Sequence, residues 1–345
     1  MRVRFPVDEL TSKRIAKFLG NGVRALLVLF LSASLCIPAD EMTSTIVIGN
    51  CRLDVVIEKG SLALTHGETL AWVQAAGDSV ATYYGRFPVA RALLRIIPTR
   101  GKGVRGGRTF GEGGGLIRIH VGSATTPGDL ASDWMLTHEM VHLAFPSMPD
   151  QNHWIEEGIS TYVEPIARVR ANHLDVSRMW ADVVRDLPQG LPAAGDEGLD
   201  HTHTWGRTYW GGALFCFLAD IEIHRRTDNR KGLEDALRGI LDAGGDIRQS
   251  WDLKKALEIG DQAAGVAVLL PLYEKMKDRP YNVDLSALWK ELGIEPEGGG
   301  VRFFDSAPLA KTRQAITYGA VPRASQPTRP LAAVAGRSAR TARSS

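Results

Sequence analysis

The sequence predicts an α+β protein: a small N-terminal β-rich part with one helix, then a mostly helical half. Two periodicities carry this. From Thr43 the pattern is strand-like: TIVIGNCRLDVVIEKG, residues 45–60, alternates apolar or β-branched residues with polar ones, as half-buried strands do. From Asp129 apolar residues recur instead at three- and four-residue steps, the period of a helix. At 345 residues, 44% of them apolar and 8 of them Trp, the chain is long enough for an ample core.

Residues 1–39 stand apart from that body. Lys13, Arg14, Lys17 and Arg24 precede ALLVLFLSASLCIPA, a run shorter than the roughly 20 residues that cross a bilayer. This reads as a secretory signal peptide cut after Ala39, with a cut after Ser34 as the alternative. The expected location is periplasmic or secreted, with no stable membrane span after cleavage; an uncleaved N-terminal anchor is the competing reading. Without residues 1–39 the chain keeps 35 basic and 37 acidic residues, so its overall basicity is no nucleic-acid signal. Residues 40–127 form the expected β-rich part, 128–245 the helical part that carries the histidine motif, and 246–319 a helical extension. Residues 320–345, rich in Pro, Ser, Ala and Arg, read as a disordered basic tail. Export would leave Cys51 and Cys216, either bridged or as two buried thiols.

In order, the expected elements are strands in 43–60, a helix over Thr69–Tyr84 and a strand in ARALLRIIPT. RGKGVRGGRTFGEGGG reads as a glycine-rich loop, followed by a strand in LIRIHVG. One long helix is expected in LASDWMLTHEMVHLAF, started at Gly128-Asp129 and stopped by Pro146. After the turn PSMPDQNH, Asp150 or Asn152 would cap a helix in WIEEGISTYVEPIARV. A third long helix follows in TYWGGALFCFLADIEIHRR, then shorter ones over 231–293.

The chemistry concentrates in THEMVH. Residues four apart on a helix differ by about 40° in direction, so His138 and His142 project side by side and can grip one ion. Glu139 points roughly 100° away, where a carboxylate can serve a water on that ion. A catalytic zinc site needs three protein ligands and an open position. The turn after Pro146 returns the chain to the histidines, so Glu156 or Glu157 would supply the third. The helical wheel favours Glu157, which shares a small-residue side with Gly158 and Thr161.

WIEEGISTYVEP resembles the Trp-x-x-Glu-Gly-x-x-x-Tyr segment of gluzincins, the zinc metallopeptidases whose third ligand is the glutamate before that glycine. The resemblance implies Glu157 as ligand and one zinc ion per chain. TYWGGALFCFLADIEIHRRTDN looks like the Tyr-x-x-Gly helix of the alanyl and glycyl aminopeptidase families, closer to the latter. It implies that Tyr209 stabilises the oxyanion while Glu139 acts as general base and acid. Glu164, seven residues after Glu157, would hydrogen-bond a zinc ligand.

Two departures qualify the match. The spacer of 14 residues between His142 and Glu157 is shorter than in the alanyl aminopeptidases, so the helices must join by a tighter turn. Their Gly-Ala-Met-Glu-Asn motif, which binds a substrate's amino terminus, is replaced by TFGEGGG. There Glu112 stands at the glutamate position, and Gly113, Gly114 and Gly115 would let a substrate backbone approach. Peptide or protein substrates are expected, with aminopeptidase and endopeptidase both open. An exported peptide-binding envelope protein with a structural or inactive metal site is the alternative. His201 and His203 read as loop residues, and His153, His173 and His224 show no partner pattern.

Overall fold

The computed structural model describes residues 41–319; the expected signal segment and basic tail lie outside the described residues. The alternating start makes β1 (Met42–Ile48) and β2 (Cys51–Ile57), an antiparallel pair turning at Gly49-Asn50. Helix α1 (His66–Tyr84) starts three residues earlier than its apolar pattern, because Thr65 and Glu68 close a capping box, and it ends at Gly85 in the left-handed region. Then come β3 (Arg91–Thr99), β4 (Val104–Phe110) and β5 (Leu116–Gly122).

The strand order is β1-β2-β3-β5-β4, with β3 parallel to β2 and β5. Half of the segment expected to be a glycine-rich loop is therefore a strand. β4 lies antiparallel to β5 at the sheet's edge, with a register shift between Val104 and Gly106. Its glycines weaken the period-two signal without preventing the pairing.

The long helix expected from Asp129 is two. Thr126 and Asp129 cap α2 (Pro127–Ala131), and α3 (Met135–His142) follows after a break. Asp133 sets that break: its carboxylate accepts from Met135 N, Leu136 N and Trp72 Nε1 at 3.1–3.2 Å. A side chain that caps from inside the pattern restarts the helix.

Next come α4 (His153–Arg170) and α5 (Val176–Asp186). A π-helical turn, Arg207–Gly211, runs into α6 (Gly212–Arg226), and α7 (Leu233–Asp242) follows. The end of the chain adds α8 (Leu253–Ala264), α9 (Leu269–Met276), α10 (Leu285–Leu292), a hairpin of β6 (Ile294–Glu297) and β7 (Gly300–Phe303), and α11 (Ala310–Tyr318). The hairpin is unanticipated by the sequence reading.

One hydrophobic core runs from Ile48 on β1 to Ile316 on α11, so sheet and helices share an interior. Within it α4 and α6 cross where two glycines meet: a Cβ on Gly158 would lie 2.3 Å from the carbonyl carbon of Gly212. Only paired glycines allow backbones so close. Cys51 and Cys216 are buried free thiols, so the bridge considered from their number is not made. Among the described residues no helix is long and apolar enough to cross a membrane.

Candidate active site

Helix α3 presents His138 and His142 towards α4 and Glu139 towards β4. The turn after Pro146 is braced from outside: Ser147 N donates to Gln249 O at 2.8 Å, and Trp251 N to Ser147 O at 3.2 Å. A short 3-10 turn, Asp150–Asn152, then starts α4. Asn152 is the residue before that helix, but its side chain does not cap; it donates to Asp200 Oδ1 at 3.0 Å. Trp154 Nε1 and the Tyr273 hydroxyl donate to the same carboxylate at 2.8 and 2.6 Å. This buried knot fixes the first turn of α4, and Glu157 lies in the next.

Glu157 Oε2 lies 3.1 Å from His138 Nε2 and 3.5 Å from His142 Nε2, and the two nitrogens are 3.3 Å apart. Ligand atoms on a tetrahedral zinc at about 2.0–2.2 Å stand roughly 3.3–3.5 Å from one another. One carboxylate and two imidazole nitrogens of this spacing fit a zinc ion. Burial works against the Glu157 charge, yet hydrogen bonds from His138, His142 and His153 hold its carboxyl far below the usual range. Burial also lowers the His138 pKa, favouring the neutral imidazole that a metal requires.

The other glutamate of the pair has different work. Glu156 accepts from Met148 N at 3.3 Å and faces His153 Nδ1 at 3.0 Å, tying the turn to the helix. His153, read from sequence as structural, also places Nε2 3.2 Å from Glu157 Oε1. The two glutamates push its pKa up to about 10, so it stands as a cation behind the ligand carboxylate. Its spacing of three and four residues from the glutamates was the available signal.

Glu139 is buried against the edge strand. The Thr109 hydroxyl lies 2.7 Å from Glu139 Oε2 and 2.8 Å from its backbone oxygen, fixing the carboxylate's direction. Gly107, two residues back on β4, makes room: a Cβ there would come within 2.6 Å of Glu139 Cγ. Neither residue stood out in the sequence.

Tyr209 lies in the π-helical turn, a distortion frequent at functional sites. Its ring stacks on His138 with centroids 6.3 Å apart and on the exposed Trp205 at 5.6 Å. Burial, with the nearby charges of Glu157 and Glu139, pushes its pKa up to about 12, so its hydroxyl keeps its proton at neutral pH.

These residues line a cleft of about 710 Å³, walled on one side by Gly107–Gly111 of the edge strand and on another by Ile247, Arg248 and Ser250. Gly113, Gly114 and Gly115 follow the end of β4, and the cleft lining stops at Gly111. The backbone of Glu112 belongs to a short 3-10 turn there. Glu164 lines a cavity with His138 but makes no hydrogen bond to a histidine among the described residues; Arg168, one turn on along α4, donates to it at 2.8 Å. His138 Nδ1, the atom such a carboxylate would serve, is buried without a partner among the described residues. Its ring is held by packing between Trp134 and Tyr209. His201 pairs with Asp278 at 2.9 Å, and neither it nor His203 lines the cleft.

No family model matches the sequence, and no curated protein matches it. Among solved structures, the chain is similar to the aminopeptidase N family protein from Idiomarina loihiensis: 12% identity, TM-score 0.56, over 74% of this chain and 50% of that one. It also matches an M1 zinc metallopeptidase from Deinococcus radiodurans at 15% identity and TM-score 0.44, over 70% of this chain and 52% of that one. The chain thus spans about half the length of the solved structures it matches. On the first of these likenesses, a five-stranded sheet followed by a mostly helical half gives this chain a fold similar to that of the aminopeptidase N family protein.

Proposed function

We propose that the chain is an exported zinc peptidase that hydrolyses peptide bonds in the cleft between β4 and the α3–α4 pair. The observation that carries this reading is the convergence of His138, His142 and Glu157 beside a buried Glu139 and a protonated Tyr209. A site serving structure alone has no use for the last two.

His138, His142 and Glu157 would hold zinc, which when bound lowers the pKa of its water towards about 7 and polarises a carbonyl. Glu139, aimed by Thr109, accepts the attacking water's proton and returns it to the departing amine. The Tyr209 hydroxyl donates to the carbonyl oxygen as it gains charge. The outer edge of β4, which pairs with no strand among the described residues, is the natural register for the substrate, since an extended peptide can add to a strand at the edge of a sheet. At the end of that strand Glu112 is the candidate for a substrate's amino group, with Gly113, Gly114 and Gly115 allowing close approach.

The test is metal analysis of the purified chain, then peptide hydrolysis by wild type and Glu139→Gln. Retained zinc with a loss of about 10²–10⁴-fold in the variant is the expected result. Absence of zinc, or equal hydrolysis by both proteins, sinks the reading. Faster cleavage of free than of N-acetylated peptides marks an aminopeptidase; indifference removes Glu112 from its role.

A further inference from the structure

At the far end of α6 from Tyr209 lies a second cluster that the cleft does not use. Asp220 and His224 sit one turn apart on α6, and Glu234 sits in the first turn of α7. All three are closed to solvent, at 1%, 0% and 2% exposure. One donor atom from each lies within 4.8 Å of the other two. The donors also face a common space beside Gly232: a Cβ built there would lie 2.4 Å from Glu234 Oε2, 2.7 Å from His224 Nε2 and 3.0 Å from Asp220 Oδ1.

Their hydrogen bonding is incomplete. Asp220 is served on both oxygens, by Leu233 N and by the Tyr162 hydroxyl, each at 2.7 Å. Arg170 lies 3.2 Å from Glu234 Oε1. Glu234 Oε2 and both ring nitrogens of His224 make no hydrogen bond among the described residues, although His224 Nε2 lies 3.3 Å from Asp220 Oδ1. A buried polar group without a partner is destabilising, and a shared cation would satisfy Oε2 and Nε2 together.

We propose that Asp220, His224 and Glu234 form a second metal site, taking a divalent first-row transition ion such as zinc or manganese. One imidazole with two carboxylates suits that class of ion. Tyr162 and Arg170 already orient the two carboxylates from outside, as supporting residues of metal sites do. A surface cavity of about 860 Å³, lined by Arg170, Asp235 and Arg238 among others, reaches the cluster only at Glu234. With no general base beside it and no room for a peptide, the site is structural. It ties the last turns of α6 to the first turn of α7, the junction that Asp220 and Leu233 N already link.

The experiment uses the full chain, stripped with chelator and titrated separately with Zn²⁺ and Mn²⁺. Bound equivalents are counted after dialysis, and thermal unfolding is followed with and without metal. Wild type should bind two equivalents of at least one ion, and His138→Ala/His142→Ala should still bind one and gain Tm from it. Adding Glu234→Gln or Gly232→Ala to the double variant should remove that equivalent and the Tm gain. Both are used because either alone could unfold the chain. Zero equivalents in the double variant, with Tm indifferent to both ions, overturns the proposal and leaves His224 as a buried side chain packed beside the two carboxylates. The cleft's equivalent is counted as the difference between wild type and double variant, so failure of one site is distinguishable from failure of the other.

Discussion

Helix α6 and the turn that feeds it lie between two three-donor clusters of nearly the same composition, and only one of them opens to a cleft. Near Tyr209, two imidazoles and a carboxylate face a cleft, with a second carboxylate aimed by Thr109 and an outer strand edge alongside. Around Asp220 and His224, one imidazole and two carboxylates are sealed under Tyr162 and Arg170. The ligands of the two hardly differ, but their surroundings do. Chemistry requires the base, the hydroxyl and the open wall, and the closed cluster has none of them.

The sharpest way to break this comparison is at the open site's carboxylate. Glu157→Ala should lower bound metal by one equivalent and take hydrolysis to background, whereas Glu156→Ala should keep the metal. The reverse result in metal analysis would make Glu156 the ligand. Tyr209→Phe should retain metal and KM and lower kcat by about 10²–10³-fold, the usual cost of an oxyanion donor; an unchanged kcat leaves the ring as packing for Trp205. Gly107→Val should crowd Glu139, lowering kcat by about 10–100-fold with metal retained; steady-state rates equal to wild type would show that the strand yields.

The smallest effect tests a buried carboxyl at neither end. Burial raises the Glu164 pKa from the ordinary 4.5 to about 7, against the pull of Arg168. Between those values the folded state keeps a proton that the unfolded state has lost, so stability falls as pH rises, by up to about 3 kcal/mol across the window. Glu164→Gln should flatten that slope in denaturant titrations at pH 4.5 and 7. Identical slopes would mean that Arg168 keeps the carboxylate ionised throughout.

The parts of this site legible in the sequence were those set by helical spacing. His138, Glu139 and His142 follow from their positions along one helix, and the tight turn follows from Pro146 and Pro149. What stayed hidden depends on contacts between distant segments. The edge strand looked like a loop because Gly106 and Gly107 carry no side chains to alternate, yet Gly107 is there to admit Glu139. The break at Asp133 is fixed partly by Trp72, 61 residues earlier. Glu164 was expected to serve a histidine, but a nearer arginine on its own helix takes it. In the second cluster Asp220 stands one turn before His224 on the same helix, but Glu234 joins them only when α7 folds back on α6.

The glycine crossing of α4 and α6 bears on how this site can change. Glu157 precedes Gly158, and Tyr209 lies three residues before Gly212, so main chain against main chain gauges the separation of ligand and hydroxyl. Drift among the surrounding Leu, Ile and Phe can be absorbed without altering that gauge. A single methyl at either glycine would reset it, making these two positions, with no functional group of their own, among the least replaceable in the chain.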